Sequence, residues 1–237
     1  MKKILNLFLL ATVVFFTSCS SNDDAIVNEE LSEKVMQDFA KNISSLTVPS
    51  TMKNSSNTYA QQASSQFTAL QSLAGSFTGF FTVPANAVAA KSNAKSKTVS
   101  KAIVLNSKTY TWSADGVTIT YTISEQSDRY TFAYTIASAE ITGKVMDGYQ
   151  LKDGSYAEVT LYDDNTETAK IKWTINDDIT KIEVTSDSIK YVLESNTANN
   201  SGNLKLYESS TLTASYVWSS DGSGTFTNHI SGKTYTW

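Results

Sequence analysis

The chain has one cysteine, one histidine and two prolines among 237 residues, and each scarcity removes a class of protein. With Cys19 alone no internal disulfide can form, so the fold must be held by its own core, which a chain of this length can bury. With His229 the only histidine, zinc and redox-metal sites lack their usual ligands, and neither a metal nor another cofactor is expected. His229 could serve a catalytic triad, but no Gly-x-Ser-x-Gly elbow accompanies it and no Ser or Asp partner stands out. It reads as a surface-loop residue. Basic residues are outnumbered, 19 against 23 acidic. Nucleic acid and anionic headgroups, which reward clustered positive charge, are therefore not expected partners.

The longest apolar run, Ile4 to Phe16, is interrupted only by Asn6 and Thr12. It falls short of the about 20 residues that a membrane-spanning helix needs. Preceded by Lys2-Lys3 and followed by Thr17-Ser18-Cys19, it has the layout of an export signal. Ordinary signal-peptidase cleavage after Ser18 would place bulky Phe16 where a small side chain is preferred. Phe16-Thr17-Ser18-Cys19 resembles a bacterial lipobox, and Ser20-Ser21-Asn22-Asp23-Asp24 resembles the export signal of Bacteroidota-type surface lipoproteins, with a non-acidic Ser20 similar to outer-membrane sorting. This resemblance covers residues 1–24. It implies cleavage before Cys19, acylation of the Cys19 sulfur and amino group by palmitate-class chains, and an anchor in the outer membrane facing the cell surface. Two or more acyl chains hold a protein stably where one is marginal. Removing Lys2 and Lys3 from the 19 basic residues leaves 17 against 23 acidic in the mature chain.

Residues 19–30 are small, polar and acidic and read as a flexible tether. Leu31, Val35, Phe39, Ile43 and Leu46 then recur at helical spacing and predict a helix over 31–47, with Ser32 near its N-cap and Pro49 beyond its end. After a polar stretch from Ser50, Tyr59, Ala63, Phe67, Leu70, Leu73, Ala74 and Phe77 predict a second helix over 59–77, ending at Gly75 or Gly79. Residues 31–80 thus read as a helical hairpin. Residues 81–101, rich in Ala, Ser and Asn with Lys91, Lys95, Lys97 and Lys101, read as a solvated linker.

From 102 to 237 the period becomes two. Val117, Ile119, Tyr121 and Ile123 alternate with threonines, as do Tyr130, Phe132, Tyr134 and Ile136 with Thr131, Ala133 and Thr135. Asp115-Gly116, Asp147-Gly148, Asp153-Gly154, Ser201-Gly202, Asp221-Gly222 and Ser231-Gly232 carry the chemistry of tight turns. The expectation is an α+β fold: a helical hairpin followed by a large antiparallel meander of 10 to 12 strands, with the helices covering its apolar face. A sheet curled into a barrel or sandwich is the alternative.

Tyr110-Thr111-Trp112-Ser113-Ala114-Asp115-Gly116 recurs as Tyr216-Val217-Trp218-Ser219-Ser220-Asp221-Gly222, more loosely as Trp173 to Asp177, and Lys108 to Trp112 recurs as Lys233 to Trp237. Trp112, Trp173, Trp218 and Tyr216 are candidate ligand-binding residues, because exposed aromatic rings stack on sugars. Their phase with Ile and Leu instead favours the core face, where large aromatics contribute most of the burial. The doublets Asp163-Asp164 and Asp177-Asp178, with Asn165 and Glu167, could ligate calcium or pair for glycoside hydrolysis, but neither matches the spaced loop of a calcium site, and both read as hairpin turns. Asp187-Ser188-Ile189 resembles the acceptor motif for O-glycosylation in Bacteroidota-type envelopes, which makes Ser188 a candidate modification site.

The expected role is non-catalytic: a membrane-anchored lipoprotein that binds a glycan or an envelope protein, or serves as an envelope structural component. The alternatives are a carrier of lipid or lipoprotein, with an apolar cavity under the sheet, and a glycan-active hydrolase.

Overall fold

A computed structural model describes residues 37–77, 83, 86–89, 98–99, 102–103, 106–114, 116–140 and 142–237. The leader, Cys19, the tether, Ser32 and the first residues of the expected helix over 31–47 lie outside the described residues. Among the described residues there are three helices: α1 (Gln37–Ser45), α2 (Ser50–Lys53) and α3 (Thr58–Ser76).

Helix α1 ends before Pro49, as its spacing predicts, and the side-chain amide of Gln71 donates to the carbonyl oxygens of Ile43 and Leu46 at 2.9 and 2.7 Å. The end of α1 is thereby tied to α3, and the Ile43 carbonyl also accepts from the Leu46 N–H at 3.2 Å. Asn57 caps α3, its side-chain oxygen accepting from the backbone N–H of Tyr59 and Ala60 at 2.8 and 3.4 Å. Ala63, Phe67, Leu70, Ala74 and Phe77 of the expected stripe are buried, whereas Leu73 is exposed. Helix α2 lies in a stretch that reads as polar loop. It exists because of a tertiary contact: Met52 is fully buried and the Thr51 hydroxyl donates to the carbonyl of Asp221. Gly222 (φ +87°) allows this approach, since a Cβ there would meet Thr51 and the Met52 N–H.

The strands are β1 (Val88–Ala89), β2 (Thr98–Val99), β3 (Ala102–Ile103), β4 (Asn106–Ala114), β5 (Val117–Glu125), β6 (Arg129–Ala137), β7 (Thr142–Leu151), β8 (Tyr156–Asp163), β9 (Thr166–Asn176), β10 (Ile179–Ser186), β11 (Ile189–Asn196), β12 (Gly202–Glu208), β13 (Thr211–Trp218), β14 (Gly224–Asn228) and β15 (Lys233–Thr236). Thirteen of them form one antiparallel sheet in the order β1, then β4 through β15 in sequence, while β2 and β3 pair separately. The fold is therefore α+β, with a meander that is open: its outermost strands are β1 and β15, so the sheet does not close into a barrel. The segment expected to be linker supplies β1, which pairs Val88 and Ala89 with Thr111 and Tyr110.

Tight turns join the strands through residues with positive φ: Asp164 and Asn165, Asp177, Asp187, and Ser209 with Ser210. Two turns share one device. In Asp153-Gly154-Ser155 and in Asp221-Gly222-Ser223 the aspartate accepts from the serine N–H at 2.9 Å and from its hydroxyl at 2.7 Å. These bonds hold both carboxyls below the usual carboxylate range. Asp147-Gly148 departs from the expectation, for it lies inside β7 and is no turn. Its glycine is demanded by the ring of Phe132 on the paired strand, 2.7 Å from where a Cβ would stand. Gly202 seats Trp218 at 2.6 Å in the same way, and Gly224 seats Trp237.

One face of the sheet is apolar, and it carries Tyr110, Tyr121, Ile123, Phe132, Tyr134, Val159, Ile171, Trp173, Ile182, Leu193, Leu204 and Trp218 into the same buried cluster as the helices. Helix α3 touches both β10 and β14. Phe67 meets Trp218 edge-on at 6.2 Å between centroids, Tyr59 stacks on Phe226 and Tyr235 at 4.8 and 4.6 Å, and the Tyr216 hydroxyl donates to Gln62 at 3.2 Å. The other face carries Thr, Ser, Lys and Glu, as the alternation predicts.

Candidate functional site: a polar groove on the outward face

The aromatic candidates are placed by this alternation. Trp112, Trp173, Trp218 and Tyr216 all point into the core, with exposures of 4, 0, 2 and 4%. Ring faces so enclosed cannot stack on a sugar, and a platform built from these four residues is corrected to a structural role. Burial of such large side chains contributes more than any other residue type to holding the sheet against its helices. The Trp218 indole N–H donates to the Asn200 carbonyl at 2.9 Å.

The acidic doublets are separated by the length of a strand. Asp163-Asp164 precedes β9 and Asp177-Asp178 follows it, and eleven strand residues span about 36 Å. They cannot share an ion. Among the described residues, no group of three or more His, Cys, Asp or Glu is placed to hold a metal. His229 follows β14, and its Nε2 lies 2.9 Å from Ser215 Oγ on the exposed face. Among the described residues no carboxylate bonds the His229 ring, so this is a hydrogen-bonded pair and not a triad. Ser188 stands exposed at the tip of the β10–β11 hairpin.

The outward face holds a groove of about 500 Å³ across β5 to β8, lined by Thr122, Arg129, Asp147, Tyr149, Glu158 and Thr160 among others. Its volume lies within the range of small-ligand pockets. The register explains its shape. One row runs Ser124, Thr131, Tyr149, Glu158 and Lys172 across successive strands; the next runs Thr122, Ala133, Asp147, Thr160 and Lys170. Short side chains at 122, 124, 131 and 133 leave a hollow beside the taller ones of β7 and β8.

A β-bulge aims one wall. The register shifts between Tyr134 and Thr135 where β6 meets β7, which leaves Val145 as the extra residue of β7. Bulges twist a strand and redirect its side chains. Here the bulge turns Lys144 to the face of Asp147, where the alternation of β8 already places Tyr162: Lys144 Nζ lies 2.6 Å from Asp147 Oδ2, and the Tyr162 hydroxyl donates to Oδ1 at 2.9 Å. Lys144 also lies 3.8 Å above the Tyr162 ring. The hydrogen bond to Asp147 raises the Lys144 pKa, so its ammonium stays charged.

Glu158 is held on the same principle. Tyr156 donates to Glu158 Oε2 at 2.8 Å, while Lys170 and Lys172 stand 3.6 and 3.7 Å away. Burial, with the neighbouring Glu158 carboxylate, pushes the Tyr156 phenol well up, which keeps it a donor. Arg129 binds Asp128 through Nη2 at 2.7 Å and lies 4.7 Å over the Tyr149 ring, which in turn meets Tyr156 at 5.6 Å. The guanidinium holds the Asp128 carboxyl below its usual range.

None of these groove residues was read as functional in the sequence, where Asp147 counted as a turn residue. The signal that could have found them is the phase of the strands: Asp147 and Tyr149 fall opposite Met146 in β7, and Glu158 and Thr160 opposite Val159 in β8, which puts all four on the outward face. Compared with protein-family profiles and with curated proteins, the chain matches none.

Proposed function

We propose that the chain is an outer-membrane lipoprotein, anchored through acylated Cys19 and exposed at the cell surface, whose folded domain binds a ligand on its outward face without catalysing a reaction. The observation that carries the binding role is the groove: side chains of opposite charge line a hollow of ligand size and are fixed there by their neighbours. Asp147 is bonded to an ammonium and a phenol, and Glu158 accepts from a phenol between two lysines. Both side chains are thereby held in place by their neighbours, which supports a binding role.

A carrier would need an apolar cavity beneath the sheet. The residues that would line it, among them Phe67, Trp173, Leu193 and Leu204, are instead buried in one cluster with α3. An exposed Ser188 suits modification by a glycan, which would sit at a hairpin tip clear of the groove. Mass spectrometry of the mature N-terminus tests the anchor. The expected first residue is a Cys19 carrying acyl chains; an intact leader, or an unmodified terminus at another residue, would overturn it.

A further inference from the structure

We propose that the groove across β5 to β8 takes a neutral saccharide, held by Asp147, Glu158, Tyr149 and Arg129; this rests on the reading of the domain as a binding protein. Four features of the groove select that chemistry.

Its charges are of both signs and are already compensated. The Arg129 charge is already neutralised by Asp128 through three contacts of 2.7 to 3.2 Å from Nε and Nη2, which leaves its Nη1 donors for a neutral ligand, whereas an anionic ligand would also lie against Asp147 and Glu158. A cationic ligand would compete with Lys144, Lys170 and Lys172 for the same carboxylates. A ligand without charge meets neither obstacle.

The carboxylates retain acceptor capacity. Each offers about four lone-pair sites, and the side chains of Asp147 and Glu158 are 34% and 20% exposed. Asp147 uses two sites. Glu158 accepts one short bond, and its lysines stand beyond hydrogen-bond distance. Hydroxyl donors of a ligand can bond to what is left, and bonds to a carboxylate are about twice as strong as neutral ones. Because Lys144, Tyr162 and Tyr156 fix these carboxylates, little side-chain ordering remains to oppose binding.

Part of the remaining lining is hydroxyl-bearing. Thr122, Thr131 and Thr160 both donate and accept, which matches a ligand whose groups do both. Tyr149 adds an amphipathic ring with a body for C–H surface and a polar tip. An apolar ligand would strip water from the open carboxylate sites of Asp147 and Glu158 and return no hydrogen bond. A molecule that carries many hydroxyls, no charge and patches of C–H surface is a sugar.

The test uses the full lipidated protein in detergent micelles on an array of neutral and acidic oligosaccharides, followed by calorimetry with the best-retained neutral oligosaccharide. Asp147→Asn, Glu158→Gln and Tyr149→Ala are compared with the parent and with Thr227→Ala, which lies on the same face but in β14. Retention of neutral oligosaccharides, with Kd raised at least about tenfold by each groove substitution and unchanged by Thr227→Ala, is the expected result. The melting temperatures should stay at the parent value, which separates lost contacts from lost fold. Neutral oligosaccharides bound equally by all variants would overturn the groove as the site and leave the protein a binder. Retention of acidic glycans alone, or of an envelope protein in a groove-dependent manner, would overturn the ligand class and leave the binding role. Release of reducing ends would overturn the non-catalytic reading itself, and no groove-dependent ligand of any kind would overturn both.

Discussion

Phe67→Ala and Trp218→Ala should each lower the stability of the domain by about 3–5 kcal/mol, the range for emptying a packed aromatic site. Both residues are 2% exposed, and they meet edge-on across the boundary between α3 and β13. Neither site can collapse easily. Phe67 is held on a 19-residue helix, and Trp218 lies over Gly202 with its N–H bound to the Asn200 carbonyl. Trp218→Ala also leaves that carbonyl without its indole donor. Because the rings touch, the double variant should lose less than the sum, with a coupling of about 0.5–1.5 kcal/mol. Chemical denaturation of the four proteins measures this directly. Midpoints equal to the parent's would mean that α3 does not cover the sheet.

Gly148→Ala and Gly202→Ala should each cost at least about 1–3 kcal/mol, the range for overpacking a well-filled interior. A methyl group at 148 would meet the carbonyl of Glu158 and the Phe132 ring, and one at 202 the carbonyl of Glu194 and the Trp218 ring. The carbonyls belong to adjacent strands and cannot retreat without breaking ladder bonds, so the aromatic rings must leave their seats. Gly154→Ala serves as the reference: its turn (φ +74°) has open space around it, so only backbone strain is added, about 1 kcal/mol. The same denaturation curves rank the three. A ranking with Gly154→Ala as the most damaging would contradict close packing at the strand glycines.

Much of the fold was legible because its signals are periodic. Alternation along Val117 to Ile123 and Tyr130 to Ile136 puts Tyr121, Ile123, Phe132 and Tyr134 inside and their threonines outside, and α3 follows from the spacing of Ala63, Phe67, Leu70 and Ala74. What escaped depends on contacts distant in sequence. Helix α2 is stabilised by the β13–β14 turn some 170 residues away, and β1 by pairing with β4. Asp147-Gly148 carries turn chemistry in the sequence, yet the glycine is there to admit a neighbouring ring. The tryptophans share phase with Ile and Leu, which favours the core, but phase alone cannot say which face of a strand is covered; the burial of that face under the helices does. The groove was hidden for a further reason. One wall depends on a bulge, and the extra residue in β7 brings Lys144 to Asp147 without any local sequence mark.

The central claim is that α3 is part of the core and that binding belongs to the outward face of the sheet. Native-state amide hydrogen exchange tests it most directly, since it reads the opening free energy of each element separately. The account predicts that the amides of Thr58–Ser76 are protected as strongly as those of β10 to β13 and exchange only when the whole domain unfolds. If α3 exchanges at a clearly lower free energy while the sheet stays protected, the helix opens as a lid over the apolar face, and the core assignment is wrong.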